Sequence, residues 1–326
     1  MSEQSPKSRV MILDTLPTKN RGPEKSGENE EERSSMSSLR ISDAIDLHCH
    51  FGPDTVGPPG GHAFEAVSGV DAAREALASG HCAIVLKSHS FASPALAAQI
   101  EQVVPGIRVF GGICTDYPTG GLNVDAVDVA LRMGARIVWL PTVHSHQEFL
   151  NGKTQSMGIK GEGLHVIGQD GEPTAEVRAI FDLVKQHDAV LATGHTTAVE
   201  HYAVIKAFAR EGKLLVTHAG EKLAGPHLSA QQCRELADLG AMIELTALCC
   251  QTVFGIEGKS AAAMAAMIRE IGPARCTLSS DYGWNTALPR PAAGLQDFLE
   301  QLWAEGITEG ELTMMAATNP ARLLGL

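Results

Sequence analysis

This 326-residue sequence lacks an excess of basic residues, a long apolar run and paired-cysteine spacing. Its formal net charge is -12, with 26 Lys and Arg against 38 Asp and Glu, which argues against nucleic acid or an anionic membrane as a partner. No apolar run reaches the roughly 20 residues that span a bilayer. The 7 cysteines show no CxxC spacing and indicate reduced thiols in a cytoplasmic protein. We therefore expect a small-molecule substrate, and the composition leaves homo-oligomerisation open.

The N-terminal segment differs in composition from the rest of the chain. Residues 1–40 are rich in Ser, Glu, Lys, Asn and Pro and contain few large apolar side chains. Such a segment buries too little apolar surface to offset the entropy lost on ordering. We predict a disordered tail over 1–40 and a single catalytic domain over 41–326, since a chain with 44% hydrophobic residues can bury a large core.

Short apolar runs alternate with amphipathic stretches from Ala44 onward. Their nearly continuous hydrophobicity is typical of parallel strands that are covered on both faces. The runs lie at 44–50, 83–89, 108–115, 135–142, 189–195, 213–220, 241–247 and 276–283. Alternating strands and helices in this number predict an α/β fold, a single-domain (β/α)8 TIM barrel. A doubly wound open sheet is the alternative, but it is expected to have a Gly-rich phosphate loop after its first strand, and the residues at 48–54 do not form one.

The connection after the fourth run, residues 143–173, is rich in Gly and polar residues. Loops of this length are usually functional or disordered. This one leaves from the end of the barrel where active sites lie. We interpret it as a lid or substrate loop, and surface decoration without function is the alternative.

Histidine, lysine and acidic residues stand at or near the ends of these runs. They are His48, His50, Lys87, His89, His144, His146, His195, His218, Glu244 and Asp281. The carboxyl ends of all strands of a (β/α)8 barrel converge on one pocket, so residues distant in sequence become neighbours. His48 and His50 are two residues apart on one strand and point to the same side, whereas Leu47 and Cys49 are predicted to face the helices. Two imidazoles spaced in this way can bind one metal ion.

Several segments resemble motifs of the amidohydrolase superfamily of metal-dependent hydrolases, and the resemblance covers residues 44–326. They are Asp-Leu-His-Cys-His at 46–50, Thr-Gly-His at 193–195, Thr-His-Ala-Gly at 217–220, Ser-Asp-Tyr-Gly at 280–283 and the closing segment 319–326. The resemblance implies that His48 and His50 bind a first metal ion, and that His195 and His218 bind a second. It also implies that Asp281 contacts the first ion and acts as the general base for its water. One or two divalent ions, of zinc, iron or manganese, are the expected cofactors.

The sequence departs from that pattern at its fourth strand. Binuclear members of the superfamily usually bridge their metals there with a carboxylated Lys or a Glu, whereas this chain has Thr142, His144 and His146. The second strand ends in Leu-Lys-Ser-His at 86–89, where the superfamily has no standard ligand, and Gly-Gly-Leu-Asn follows at 120–123. These features are more similar to TIM-barrel non-haem diiron monooxygenases that act on CoA-linked acids. A His-rich ligand set suits iron as well as zinc.

Further side chains are predicted to complete the site. His89 and His144 are candidate metal ligands. Lys87 is a candidate catalytic group that binds a substrate carboxylate or phosphate, and pairing with a buried acid is its alternative role. The candidate substrate-binding residues are Glu244, His146, Tyr282 and Trp284.

We predict a mono- or binuclear metalloenzyme that activates water to hydrolyse a small ester, amide, lactone or thioester. The alternative is a non-haem diiron monooxygenase that hydroxylates a CoA-linked or carboxylic acid substrate, and O₂ consumption by iron-loaded protein distinguishes the two. A non-catalytic binding barrel is a third interpretation, and the presence of all the core ligands argues against it.

Overall fold

A computed structural model describes residues 39–54, 67–154, 156–208 and 211–326. The disordered tail predicted for residues 1–40 lies almost entirely outside these ranges. The residues from Leu39 to Leu326 form one compact unit. Within the described ranges, no helix is both long enough and apolar enough to cross a membrane.

A sheet of 8 parallel strands forms the centre of the structure. The strands are β1 Ala44–His50, β2 His81–Lys87, β3 Arg108–Cys114, β4 Ala135–Trp139, β5 Val190–Ala192, β6 Lys213–Val216, β7 Met242–Thr246 and β8 Cys276–Ser279. Each strand pairs with the next one along the chain. Beyond β8 the chain returns to β1, because Asp281 N donates a hydrogen bond to His48 O at 2.9 Å and His50 N donates one to Tyr282 O at 2.8 Å. The predicted (β/α)8 TIM barrel is therefore confirmed.

Helices follow the strands and cover the outside of the barrel. They are α1 Gly69–Ala78, α2 Pro94–Val103, α3 Val124–Arg132, α4 His146–Leu150, α5 Ala175–Gln186, α6 Ala198–Phe208, α7 Ala230–Asp238, α8 Ala261–Ile271, α9 Pro291–Ala304, α10 Glu309–Thr313 and α11 Asn319–Leu324. Many begin at a Ser, Thr or Asn whose side chain accepts a hydrogen bond from the first turn, as Asn123 does for α3 and Thr174 for α5. These caps satisfy backbone N–H groups that have no partner within the helix.

Side chains from strands on opposite sides of the barrel meet in its interior. Ile45 and Leu47 of β1 belong to one buried cluster with Ile137 of β4 and Val190 of β5. Strands so far apart in the ring share contacts only across the inside of the barrel. The helices bury the other face of the same strands, which is why the strand sequences are apolar at nearly every position.

Several strands end earlier than the apolar runs predicted. β5, β6 and β8 end before His195, His218 and Asp281 are reached, so these three residues lie in the turns that follow. The segment 143–173 is also more ordered than a plain loop. It contains α4, and an isolated β-bridge joins Ser145 to Leu164.

Candidate metal centre

The His-x-His pair lies at the carboxyl end of β1, where the strand is irregular. Asp46 and Cys49 are three residues apart but pair with residues of β2 that are two apart, which is a β-bulge. Leu47 packs in the interior of the barrel. The ring of His48 also faces inward, with its centroid 6.1 Å from that of Trp139. The prediction that Leu47 faces the helices was therefore wrong, because the bulge interrupts the alternation of side chains.

The other ligand candidates sit in sharp turns after their strands. His218 and Asp281 have backbone φ angles of 27° and 58°, in a region that non-glycine residues rarely adopt. Such conformations cost about 1–3 kcal/mol each and are common at functional sites. Gly194, which precedes His195, has a φ of 65°, and a Cβ atom there would lie 2.2 Å from Leu140 O. The turn that presents His195 therefore requires glycine.

His48, His50 and Asp281 form the first group of candidate ligands. Nε2 of each histidine lies 3.1 Å from Asp281 Oδ1, and one donor atom from each residue lies within 4.8 Å of the other two. His48 Nε2 is buried and has no hydrogen-bond partner among the described residues, because its contact with Asp281 is not aligned for one. Two imidazoles and a carboxylate are donors that zinc and iron accept. These residues therefore fit a divalent ion.

His195 and His218 form a second group beside the first. Their Nε2 atoms are 2.8 Å apart, and the ring centroid of His218 lies 5.7 Å from that of His48. His89 lies next to both groups, because its ring stacks on His50 at 5.1 Å and lies 6.2 Å from the ring of His195. The barrel thus brings together all the core ligands of the prediction, and His89, a further candidate ligand, lies beside them.

Two buried glutamates hold the far nitrogens of the imidazoles in these groups. His48 Nδ1 donates a hydrogen bond to Glu244 Oε2 at 3.0 Å, and His195 Nδ1 donates one to Glu148 Oε1 at 2.9 Å. Both carboxylates are fully buried. A fixed Nδ1–H leaves Nε2 as the free lone pair and fixes the orientation of the ring, as is usual for histidines that bind metal.

His89 is held in the same manner by a residue of the turn after β3. Its Nδ1 lies 3.3 Å from Asp116 Oδ2 and 2.7 Å from Thr142 Oγ1. Asp116 also accepts hydrogen bonds from the backbone N–H groups of Thr142 and His144 at 3.0 and 3.1 Å. This network directs the other edge of the His89 ring toward the cluster.

Burial and charge set the ionisation of the cluster. Burial lowers the pKa of His195 to about 4 and that of His50 to about 3. Burial acts to raise the pKa of Asp281, but His48 and His50 outweigh it and hold that pKa well below its usual range. Burial acts to lower the pKa of His48, but the charge of Asp281 raises it to about 9. Neutral imidazoles and an ionised carboxylate are the forms that bind metal, and a metal ion would have to displace a proton from His48.

A cavity of about 320 Å³ opens over this cluster. His50, His89, His195, His218 and Asp281 contribute to its surface, together with parts of the segment 143–173. Its apolar lining side chains include Val143, Met157, Leu223, Leu248, Phe254 and Trp284. The cavity walls are therefore suited to the apolar part of a substrate, and the candidate metal ligands lie together at one end of the cavity.

Two charged side chains in this cavity lack a complementary partner. Lys87 is 1% exposed and makes no hydrogen bond or ion pair to the described residues; its Nζ lies 5.7 Å from the centre of the Trp139 ring. Glu221 accepts a hydrogen bond from Leu223 N on Oε1 at 2.8 Å. Its Oε2 is buried and has no hydrogen-bond partner in the described part of the chain. Burial raises the pKa of Glu221.

The structure does not bring the histidines after β4 into the cluster. Because β4 ends at Trp139, His144 and His146 do not share one direction. His144 turns to Asp116, with 3.3 Å between Nδ1 and Oδ1. His146 begins α4, and its ring lies 4.0 Å from that of His165. These positions correct the assignments of His144 as a metal ligand and of His146 as a substrate-binding residue.

Two further predicted substrate contacts also lie away from the cavity. Glu244 is buried behind His48 and fixes the orientation of that ring. Tyr282 is 1% exposed and packs so closely on Gly294 that a Cβ atom there would meet its ring at 2.2 Å. Trp284 does line the cavity, and its role in substrate binding stays a prediction.

Sequence reasoning missed Glu148 and Glu221 and gave Asp116 no role. The pattern Ser145-His-Gln-Glu148 matches a capping box, and Ser145 Oγ does accept a hydrogen bond from Glu148 N. This pattern could have predicted the start of α4. It does not show that the carboxylate of Glu148 turns instead to His195. Glu221 follows a predicted ligand turn and gives no other signal in the sequence.

The chain has the fold of several solved enzymes that differ strongly from it in sequence. The probable dipeptidase PvdM from Pseudomonas aeruginosa is 10% identical, with a TM-score of 0.60 over 88% of this chain and 95% of that one. An amidohydrolase from the same organism is 13% identical, with a TM-score of 0.57 over 87% and 95% of the two chains. A probable 2-pyrone-4,6-dicarboxylic acid hydrolase from Acinetobacter baumannii is 11% identical, with a TM-score of 0.56 over 87% and 100%. The resemblance to amidohydrolases is thus confirmed for the fold; the similarity to diiron monooxygenases is not shown.

A family model matches residues 43–244, which is more than half of the chain. Its description is "Family of unknown function (DUF6282)", and this protein belongs to that family. No curated protein matches the chain. The matched region includes β1 to β6 and most of β7, and with them both histidine groups, whereas Asp281 lies beyond it.

Proposed function

We propose that this member of the DUF6282 family is a metal-dependent hydrolase that activates water to cleave a small ester, amide, lactone or thioester. The convergence of His48, His50 and Asp281 carries the proposal, since Nε2 of each histidine lies 3.1 Å from Asp281 Oδ1, and His50 and Asp281 line the cavity. His195 and His218 offer a second position beside them. A cavity of about 320 Å³ suits a small-molecule substrate.

The residues of the cluster have separate roles in this proposal. A divalent ion, when bound, supplies a Lewis acid that lowers the pKa of water toward neutrality. Asp281 accepts the proton from the attacking water, because its carboxylate is ionised and sits at the cavity surface. Glu244 and Glu148 keep His48 and His195 in the tautomer that leaves Nε2 free.

Lys87 supplies positive charge to the reacting group. Its ammonium ion makes no hydrogen bond or ion pair to the described residues and lies at the cavity surface. As water adds to a carbonyl group, negative charge develops on the carbonyl oxygen, and a fixed donor next to it lowers the barrier. Loss of one such donor typically reduces kcat by about 10²- to 10³-fold, so Lys87→Met should retain metal and lose turnover by that amount.

A panel of chromogenic esters, anilides, lactones and thioesters tests the proposed function. The native protein is loaded in turn with zinc, manganese and iron and compared with chelator-treated protein. We expect metal-dependent hydrolysis of at least one class, and its loss in Asp281→Asn. Complete inactivity of metal-loaded protein toward the whole panel would contradict the proposal.

A non-haem diiron monooxygenase is the second candidate function. The observation that favours it is His89, an additional imidazole beside both groups, because imidazole-rich sites suit iron. Iron-loaded protein should then consume O₂ in the presence of a reductant and a carboxylic or CoA-linked acid. Redox-inactive zinc should not support that reaction.

A further inference from the structure

We propose that Glu221 determines substrate specificity by accepting a hydrogen bond from a nitrogen-borne donor, an ammonium or amide N–H group, on the substrate. The inference rests on the proposed function, because it places the substrate in the cavity over the metal centre. It narrows the substrate class from any small carbonyl compound to an apolar molecule with such a nitrogen beside the bond that is cleaved.

The argument begins with the unpartnered oxygen of Glu221. The side chain lines the cavity and is 5% exposed. Oε1 is fixed by Leu223 N at 2.8 Å, which sets the orientation of the carboxylate. Oε2 is buried and has no hydrogen-bond partner among the described residues. An acceptor left in this state destabilises the protein unless a ligand satisfies it.

A lysine on the same side of the cavity is already paired within the protein. Lys153 Nζ lies 2.7 Å from Glu148 Oε2 and also donates to Leu223 O. It is therefore occupied within the protein and does not neutralise Glu221. The remaining neighbours in the cavity are largely apolar, such as Leu248 and Phe254. Leu248 and Phe254 offer no hydrogen bond from their side chains. The thiol of Cys249 also lies beside the carboxylate, but it is a weak donor and pairs with Thr246 Oγ1 at 3.4 Å. A strong donor for Oε2 therefore has to come with the ligand.

The position of Glu221 in the barrel gives the direction in which a substrate lies. Glu221 follows β6 and Lys87 ends β2, and the strands are arranged in the order β1 to β8. These two side chains therefore stand on opposite sides of the ring, with the histidine groups between them. The nitrogen end of the substrate lies at Glu221, its carbonyl oxygen points toward Lys87, and its apolar side chain lies along Leu248 and Phe254.

Three amides with the same apolar side chain test this inference by calorimetric titration. At the carbon next to the carboxamide group, leucinamide carries an ammonium group, N-acetylleucinamide carries an amide N–H group, and 4-methylpentanamide carries neither. They are titrated into metal-loaded native protein, Glu221→Gln, Glu221→Met and Glu257→Gln. Glu257 serves as the matched control, because it is exposed and its backbone oxygen accepts a hydrogen bond from Lys222, the neighbour of Glu221 in sequence, at 3.0 Å.

We expect the native protein and Glu257→Gln to bind at least one nitrogen-bearing amide about 10- to 100-fold more tightly than 4-methylpentanamide. Glu221→Met should remove that preference. Glu221→Gln distinguishes the two donors, because it removes a preference for leucinamide but retains one for N-acetylleucinamide. Equal affinities for the three amides, no measurable binding of any of them, or a preference that survives in Glu221→Met would each overturn the inference. The proposed function is contradicted by a different result, which is that the protein binds no divalent ion.

Discussion

Glu148→Gln removes one negative charge from the second histidine group without changing the shape of the side chain. In the native protein, Glu148 Oε1 accepts hydrogen bonds from His195 Nδ1 at 2.9 Å and from Gly225 N at 2.7 Å. Its Oε2 lies 2.7 Å from Lys153 Nζ. An amide oxygen can still accept the bond from His195, but it no longer increases the basicity of Nε2.

The size of the effect follows from these contacts. Loss of a carboxylate behind a metal-binding histidine typically weakens metal affinity by about 10- to 100-fold, which corresponds to roughly 1.4–2.7 kcal/mol. Lys153 is 19% exposed, so it can turn toward water when its partner is neutralised, and we expect the barrel to stay folded. The ion held by His48 and His50 should keep its affinity, because Glu148 does not contact either residue.

Competition with a chromogenic chelator measures both affinities in one titration. Glu176→Gln is the matched control, since Glu176 is an exposed glutamate in the first turn of α5. Native protein and the control should show the same two affinities, whereas Glu148→Gln should keep one of them and show the other reduced or lost. Unchanged affinities in a folded Glu148→Gln variant would refute the role assigned to this carboxylate.

Three further predictions follow from the same structure. His48→Ala should lose metal and activity together while circular dichroism stays native, because the apolar core does not depend on this residue; unchanged metal content would remove His48 from the ligands. Asp281→Asn should keep much of its metal but lose about 10²- to 10⁴-fold in hydrolysis, and a nearly native rate would show that another group is the base. Burial lowers the pKa of His81 to about 4 from 6.5, so the unfolded chain binds the extra proton and stability falls as pH drops from about 6.5 to 4. In urea titrations at pH 7 and 4.5, His81→Gln should lose less stability than native protein, by about 2 kcal/mol; equal losses would show that His81 does not contribute.

The fold could be predicted from the sequence because each strand is covered on both faces. Covered parallel strands give apolar runs, and eight such runs separated by amphipathic stretches leave few other arrangements. The strand ends could not be predicted in the same way. The run at 189–195 continues through Gly194 and His195 into the turn after β5, and the bulge in β1 depends on its pairing with β2.

The positions of the candidate ligands could be predicted because metal binding needs particular side chains at particular strand ends. His48, His50, His195, His218 and Asp281 are such residues, and the barrel brings them together. The acidic residues that hydrogen-bond to these histidines could not be predicted, because their positions depend on the path of the chain after each strand. Glu148 and Asp116 look like ordinary surface acids in the sequence, and only the folded chain turns them toward His195 and His89.

The measurement that tests the central claim most directly is the metal content of the protein as purified without added metal. Elemental analysis of native protein should give one or two divalent ions per chain. A double variant, His48→Ala with His195→Ala, should give none while remaining folded. Native protein that holds no divalent ion, and takes up none on titration at neutral pH, would contradict the assignment of this cluster as a metal centre.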